Sequence, residues 1–219
     1  ADRPQRPTLP KNSRTKMSIS KTLYIDIETY SETDLKTCGV YKYAADPSFE
    51  VLLFGYAYDD EKERVIDLAQ GESIPDTVLK DLNDAHVLKL AHNANFERTC
   101  LQEALRKEMP PAQWVCTAVR AATLGLPRSL EAVGDVLGLK EDEKKMAEGK
   151  RLIQYFCKPC SATKTNGGRL RNLPRHEPER WALFKEYNGQ DVVTERVIWK
   201  KLLSYPRTIE SEKALWDLD

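Results

Sequence analysis

The order of patterns along this chain predicts an α/β fold, with a mixed sheet flanked by helices. Three observations carry that expectation. β-rich runs separated by Asp-Pro and Asp-Asp turn signals fill the stretch from Thr22 to Ala69. Helical and strand patterns then alternate up to about residue 138, and the longest helical pattern of the chain closes the sequence at 177–203. Short connections between the early runs pair the first three strands antiparallel, and the alternation that follows places helices over a mixed sheet.

The opening strand is "TLYIDIETY", Thr22 to Tyr30. Side chains alternate along a strand, so Leu23, Ile25 and Ile27 share one face while Tyr24, Asp26 and Glu28 share the other. "GVYKYA", "FEVLLFGYAYD" and "ERVIDLA" follow as further short β-rich runs, and "SIPDTVLKDLND" reads as a helix with Pro75 near its first turn. "HVLKLAHN" (86–93) is a strand candidate, "NFERTCLQEALRK" (95–107) an amphipathic helix and "WVCTAV" a short strand. "RSLEAVGDVLGL" reads as a helix capped by Ser129 and stopped near Gly138. The leader "ADRPQRPTLPKNSRTK" holds three prolines and five basic residues with no apolar periodicity. It reads as a disordered segment over 1–19, with Met17 as a candidate start of the domain.

With 219 residues, 41% apolar and 31% charged, the chain has the composition of one sizeable globular domain. Its 34 basic and 34 acidic residues cancel, which removes any global argument for a polyanionic partner, but the charge is unevenly spread. Residues 57–85 hold nine acids and three bases, whereas residues 150–175 hold seven bases and no acid. A neutral total can hide one basic surface. The five cysteines are an odd, scattered set without a secretory signal, which favours free thiols in a reducing compartment. No apolar run reaches membrane-spanning length, so the expectation is a soluble cytoplasmic protein with no membrane partner.

Two like charges on one face of an apolar strand repel each other and resist desolvation, so Asp26 and Glu28 need a counter-charge. A second anomaly lies in the last helix, whose buried stripe runs Phe184, Tyr187, Asp191, Thr194, Ile198, Leu202. Asp191 sits where a core residue belongs. Gly189 in the same turn costs about 1 kcal/mol against Ala, a sign that something approaches that backbone closely. The third anomaly is Glu97, in the first helical turn after "AHNANFE". Singly, such an acid has an ordinary structural explanation in the helix dipole. Together the acids suit hard divalent cations, Mg2+ or Mn2+, and two such ions can activate water and stabilise a leaving alkoxide in phosphodiester cleavage.

These three segments resemble the exonuclease motifs of the DEDD superfamily. "DIE" (Asp26, Glu28) is similar to the first motif, "NANFE" (Asn93 to Glu97) to the second, N-x-x-[FY]-D, and "YNGQD" (Tyr187 to Asp191) to the third, Y-x-x-x-D, of the tyrosine subtype. The histidine subtype is disfavoured because Glu186 occupies its histidine position. "DIETYSETDLKTCGVYKYA", "AHNANFERTCL", "SLEAVGDVLGL", "FCKPC", "TKTNGGR" and "LFKEYNGQDV" resemble the N-terminal proofreading region of phage and prophage family A DNA polymerases, and "ALWDLD" resembles the point where such chains run on.

The resemblance spans about 20–205 and implies a ribonuclease H-like fold with a five-stranded mixed sheet, leaving 206–219 as a linker towards a polymerase domain in cis. It implies a monomeric 3′→5′ exodeoxyribonuclease of the bacterial host cytoplasm, acting on single-stranded DNA 3′ ends or frayed primer termini. Asp26, Glu28, Glu97 and Asp191 are the implied ligands of two divalent cations, Mg2+ or Mn2+. Asp26, Glu28 and Asp191, with Tyr187 holding the attacking water, are the implied catalytic set. Glu97 departs from the motif by one methylene. Thr29 matches a position that touches the terminal nucleotide, and Asn93, of the second motif, is a further candidate nucleic-acid contact. The leucine that separates the last bases in the family is replaced by Glu32, which leaves Tyr30 and Phe96 as candidates.

"KRLIQYFCKPCSATKTNGGRLRNLPR" reads as a long basic loop, and Lys164, Arg169 and Arg171 are its candidate contacts to the DNA backbone. The alternative is a solvated basic loop. Cys157-x-x-Cys160 lacks a second close pair to complete a zinc site, and no thioredoxin-like strand precedes it. His86 and His92 flank a strand and read as packing or hydrogen-bonding residues. Two other functions compete with the leading one: an RNA-directed exonuclease of the same superfamily, and a non-catalytic DNA-binding domain with an impaired metal site.

Overall fold

The computed structural model describes residues 19–143 and 148–205. The leader over 1–19, apart from Ile19, and the linker over 206–219 lie outside the described residues. The sheet has five strands in the order β3-β2-β1-β4-β5. Strand β1 (Lys21–Tyr30) is central, antiparallel to β2 (Glu50–Tyr58), which pairs antiparallel with β3 (Arg64–Asp67). On its other side β1 runs parallel to β4 (Val87–Ala91), and β4 parallel to β5 (Trp114–Cys116). The expected mixed α/β sheet, its first three strands antiparallel, is the observed one.

Alternation along β1 sorts the two layers. Leu23, Ile25 and Ile27 enter one core with residues of α1 (Leu35–Ala44), α2 (Asp76–Asp81) and α3 (Ala94–Leu105). Tyr24, one step out of phase, packs on the opposite face with Ala57, Leu90 and Val192. That face is covered by α7 (Pro178–Leu202), which contacts β1, β2 and β3 and receives α4 (Thr117–Thr123), α5 (Leu130–Val136) and α6 (Gly149–Phe156). Every residue of the expected stripe on α7 is buried: Phe184, Tyr187, Asp191, Thr194, Ile198 and Leu202. Ser129 caps α5 by accepting from the Ala132 N–H, and Gly138 follows with φ +63°.

Three elements differ from expectation. "WVCTAV" is strand only over Trp114–Cys116, and its last three residues open α4. "GVYKYA" is not a strand but the second half of α1, entered through a break at Gly39 (φ 74°, ψ 166°). Its apolar run is too short for period alone to separate helix from strand. Packing decides, because Tyr43 docks edge-on against Phe49 and also meets Phe96. The basic stretch after residue 149 is likewise not all loop. Its first part forms α6, with Leu152 and Phe156, one turn apart, buried beside Trp181 and Phe184.

Candidate active site

Asp26 and Glu28 leave β1 on the face covered by α7, opposite Gly55 and Leu53 of β2. The register slips on β2 between Glu28 and Thr29, so that Thr29 faces Val51. Glu28 is buried and accepts a weak hydrogen bond from the Cys157 thiol at 3.6 Å. Asp26 accepts two bonds from the Asn188 amide, at 2.6 Å to Oδ2 and 3.1 Å to its backbone oxygen.

The residues of α7 meet those of β1 in a cleft of about 540 Å3. Asp26, Glu28, Thr29, Phe96, Tyr187 and Asp191 all line it. The first and third motifs, together with two of the nucleotide-contact candidates, are therefore brought to one place. Glu97 stands behind this surface, buried in the first turn of α3. Among the described residues its Oε2 has no hydrogen-bond partner. Burial first, then the nearby charge of Asp26 and those of Glu195 and Glu28, pushes its carboxyl well above the ordinary range.

Tyr187 is gripped from two sides. Its ring stacks on Phe184, with centroids 6.1 Å apart and planes 12° from parallel. On the other side Gly149 opens α6 so close that a Cβ there would stand 1.9 Å from the Tyr187 Cε2. Only glycine fits that contact without displacing the ring. Burial, followed by the charges of Asp191, Glu28 and Asp26, raises the Tyr187 phenol. It stays protonated at physiological pH and can orient a water but cannot act as its base.

Other expected residues lie elsewhere. Tyr30 is buried among Leu52, Leu53 and Phe184, with the Arg171 guanidinium 3.8 Å above its ring centroid, and does not line the cleft. Of the two wedge candidates only Phe96 faces the cleft. Asn93 is exposed in the left-handed region (φ 79°), where it turns the chain from β4 into α3. Arg169 donates to Asn172, to the Asn166 carbonyl and to the Tyr155 hydroxyl, while Arg171 forms a forked pair with Glu50 at 2.5 and 3.1 Å. Lys164 is exposed on the loop. The closeness of approach to Gly189 comes from Val65, whose Cγ2 would be 3.3 Å from an added Cβ.

Four participants carry no individual signal in the sequence reading. Asn188 and Gly149 are two. Lys158 is the third: it is the one basic side chain among the described residues lining the cleft, against five acids there (Asp26, Glu28, Glu32, Asp34, Asp191). The fourth is Glu195, fully buried one turn beyond Asp191, which accepts from Thr117 Oγ1 at 3.3 Å. Thr117 in turn meets His92 Nδ1 at 2.9 Å, and His92 Nε2 meets the Arg128 carbonyl at 2.7 Å. Glu195 falls on the same helical stripe as Tyr187 and Asp191, so the i, i+4 spacing is the signal that could find it.

Among the described residues no three acid, imidazole or thiol groups are already drawn together as a ligand cage. The donor chemistry nevertheless fits a hard divalent cation. The donors are all carboxylate oxygens, Asp26, Glu28 and Asp191 share one cleft, and Glu97 buries an oxygen that no described residue satisfies. The two CxxC thiols have separate partners, Glu28 for Cys157 and the Arg169 carbonyl for Cys160.

No protein-family model matches the chain. The fold is similar to RNase D of Trypanosoma brucei in complex with RNA U12 (TM-score 0.55, 18% identity, 90% of this chain and 62% of that one). It is also similar to Escherichia coli RNase D, an exoribonuclease involved in structured RNA processing (TM-score 0.52, 14% identity, 90% of this chain and 44% of that one). In sequence the chain is 52% identical over 199 residues to the DNA polymerase of Bacillus phage SP02, a match covering 91% of this chain and 30% of that protein. With so high an identity over nearly its whole length, this chain is homologous to a segment of a phage DNA polymerase and shares its fold with the RNase D nucleases.

Proposed function

We propose that this chain is a metal-dependent 3′→5′ exonuclease that removes nucleoside 5′-monophosphates from DNA ends, the proofreading part of a phage-type polymerase. The observation that carries this reading is the convergence of Asp26, Glu28, Asp191 and Tyr187 on one cleft that Thr29 and Phe96 also line. Among the described residues five acids face one lysine in the cleft, a field that repels a phosphodiester, so the cleft requires cations before a nucleic acid can enter. Asp26, Glu28 and Asp191, with Glu97 behind them, would hold two divalent ions, Mg2+ or Mn2+. Bound there, such ions supply a water of lowered pKa and a counter-charge to the leaving 3′ oxygen.

The protein's own side chains do the rest. The Tyr187 phenol, rigid between Phe184 and Gly149, orients the attacking water. Water oxygen bonds to phosphorus as the bond to the 3′ oxygen breaks, and that oxygen takes up a proton. Thr29, hydrogen-bonded to the Tyr43 hydroxyl at 2.8 Å, and Phe96 offer the terminal nucleotide a polar and an apolar wall. Lys158 contacts a phosphate, and Lys164 adds positive charge on the loop. Arg169 and Arg171 hold that loop against α6 and the sheet edge, and Asn93 shapes the turn that presents Phe96. A frayed, mispaired primer terminus would reach this cleft as a single strand, with the polymerase in cis and the chain acting as a monomer in the host cytoplasm. No helix of the described residues is long and apolar enough to cross a membrane.

A second reading, an RNA-directed exonuclease, draws on the likeness to RNase D, although a shared fold does not carry substrate choice. Single strands of DNA and RNA, each labelled at the 5′ end, separate the two. The DNA reading expects a ladder of shortened 5′-labelled DNA with Mg2+ and at least tenfold slower loss of RNA. Faster RNA loss establishes the second reading. Retention of DNA without any cleavage in Mg2+ or Mn2+ establishes a binding domain instead.

A further inference from the structure

Asn188, which stands between the tyrosine and the acid of "YNGQD" and to which the sequence motifs assign no role, reaches Asp26. Its amide nitrogen donates both to Asp26 Oδ2 (2.6 Å) and to the Asp26 carbonyl (3.1 Å). Both partners accept only, so the amide orientation is fixed: the flipped rotamer would set oxygen against two oxygens. Asn188 is fully buried, and its Oδ1 has no hydrogen-bond partner among the described residues. A native fold that keeps a buried acceptor unsatisfied while both donor bonds go to one carboxylate residue is using the amide for that residue.

Gly55 makes the arrangement possible. It stands opposite Asp26 in the β1–β2 register, and a Cβ there would lie 2.6 Å from the Asn188 Oδ1 and 3.0 Å from its Cγ. The glycine is therefore a socket through which α7 reaches β1. Asn188 ties the strand acid to the helix that carries Tyr187 and Asp191, so one side chain sets the spacing between the first and third motifs.

We propose that Asn188, seated in the Gly55 socket, is a positioning residue that holds Asp26 in the rotamer needed to bind a divalent cation. This rests on the reading of the cleft as a cation site. Partners that orient ligand side chains change metal affinity about 10- to 100-fold when removed. Mn2+ binding to the full chain without substrate, followed by electron paramagnetic resonance, gives a readout independent of turnover. Asn188→Ala is expected to raise the Mn2+ concentration at half-saturation by at least tenfold, and excess Mn2+ should recover much of the lost rate of DNA hydrolysis with KM for DNA little changed. Gly55→Ala leaves every α7 residue in place in the sequence, and its methyl, 2.6 Å from the Asn188 Oδ1 and 3.1 Å from the Val192 Cγ2, presses hardest on the amide and pushes it off Asp26, so it should weaken Mn2+ binding to a similar degree. In the double variant the space vacated by the Asn188 amide takes the new methyl, and the two losses should not add.

If both single variants bind Mn2+ within twofold of wild type and only melt at lower temperature, Asn188 merely docks the helix and the proposal fails. Should Asn188→Ala not fold, Gly55→Ala alone decides in the same way. The underlying reading is tested separately by wild type and Asp26→Ala. If wild type binds no Mn2+, or Asp26→Ala binds it equally well, the cleft is not a cation site, and the proposal falls with it for that different reason.

Discussion

The acid cleft and the basic loop beside it make opposite uses of charge. In the cleft and just behind it, Asp191 and Glu28 are buried on a helix and a central strand and Glu97 on a helix start, and Glu97 keeps one oxygen without a hydrogen-bond partner among the described residues. In the loop, charge is spent internally. Asn166 gathers the Thr163 and Gly168 N–H groups and the Ser161 and Arg169 carbonyls, and Arg169 returns to the Asn166 carbonyl. Arg171 is taken by Glu50 and by the face of Tyr30. Rigid elements thus concentrate acids at one cleft, while a loop rich in bases has turned two of its three central ones into braces. A run of like charge in a sequence does not reveal which of its members face outward, whereas an acid inside an apolar stripe announces itself.

This contrast can be broken at either end. The largest effect expected within the cleft, apart from loss of a ligand, is at Tyr187. Tyr187→Phe keeps the stack on Phe184 but removes the hydroxyl and its hydrogen bond to Asp191, so kcat for DNA hydrolysis should fall about 100-fold or more with a stability loss of about 1–3 kcal/mol. Gly149→Ala should reach a similar loss by pushing the ring aside. It should also destabilise the fold by about 1–3 kcal/mol, as overpacking does. A Tyr187→Phe enzyme with unchanged kcat would remove the phenol from the mechanism.

Smaller effects sharpen the comparison across the boundary. Lys158→Ala should raise KM for single-stranded DNA about fivefold, the order of one lost phosphate contact, and steady-state kinetics with a salt titration reads it. Arg171→Ala should act on stability instead. Its pair with Glu50 is partly exposed and worth at most about 1 kcal/mol, and its position over Tyr30 adds about 0.5–1 kcal/mol. Denaturant unfolding should show that loss while KM moves less than for Lys158→Ala. If Arg171 proves the larger determinant of KM, the loop is a binding surface rather than a braced scaffold.

What is legible in the sequence follows from range. The faces of β1 and the stripe on α7 depend on local period, and both are as Leu23, Ile25 and Ile27 on one side and Phe184 to Leu202 on the other require. "GVYKYA" and α6 escape a sequence reading because six to eight residues leave the period undecided. The partners that decide it, Phe49 and Phe96 for Tyr43 and Trp181 for Phe156, come from elsewhere in the fold. Asn188, Gly55 and Gly149 have meaning only once α7 lies on β1 and α6 on Tyr187. Glu195 is within reach of the same helical period that exposes Asp191, but a second buried acid does not look like part of a hydrophobic stripe.

The central claim is that Asp26 and its neighbours form a cation site that hydrolyses DNA from the 3′ end. Nucleotide release from single-stranded DNA, measured with Mg2+ for wild type and for Asp26→Ala, tests it most directly. The account predicts nucleoside 5′-monophosphates from wild type, abolished by chelator, and a loss of at least about 1,000-fold in Asp26→Ala with the fold retained. Equal release by the two proteins, or none by wild type in either Mg2+ or Mn2+, would contradict it.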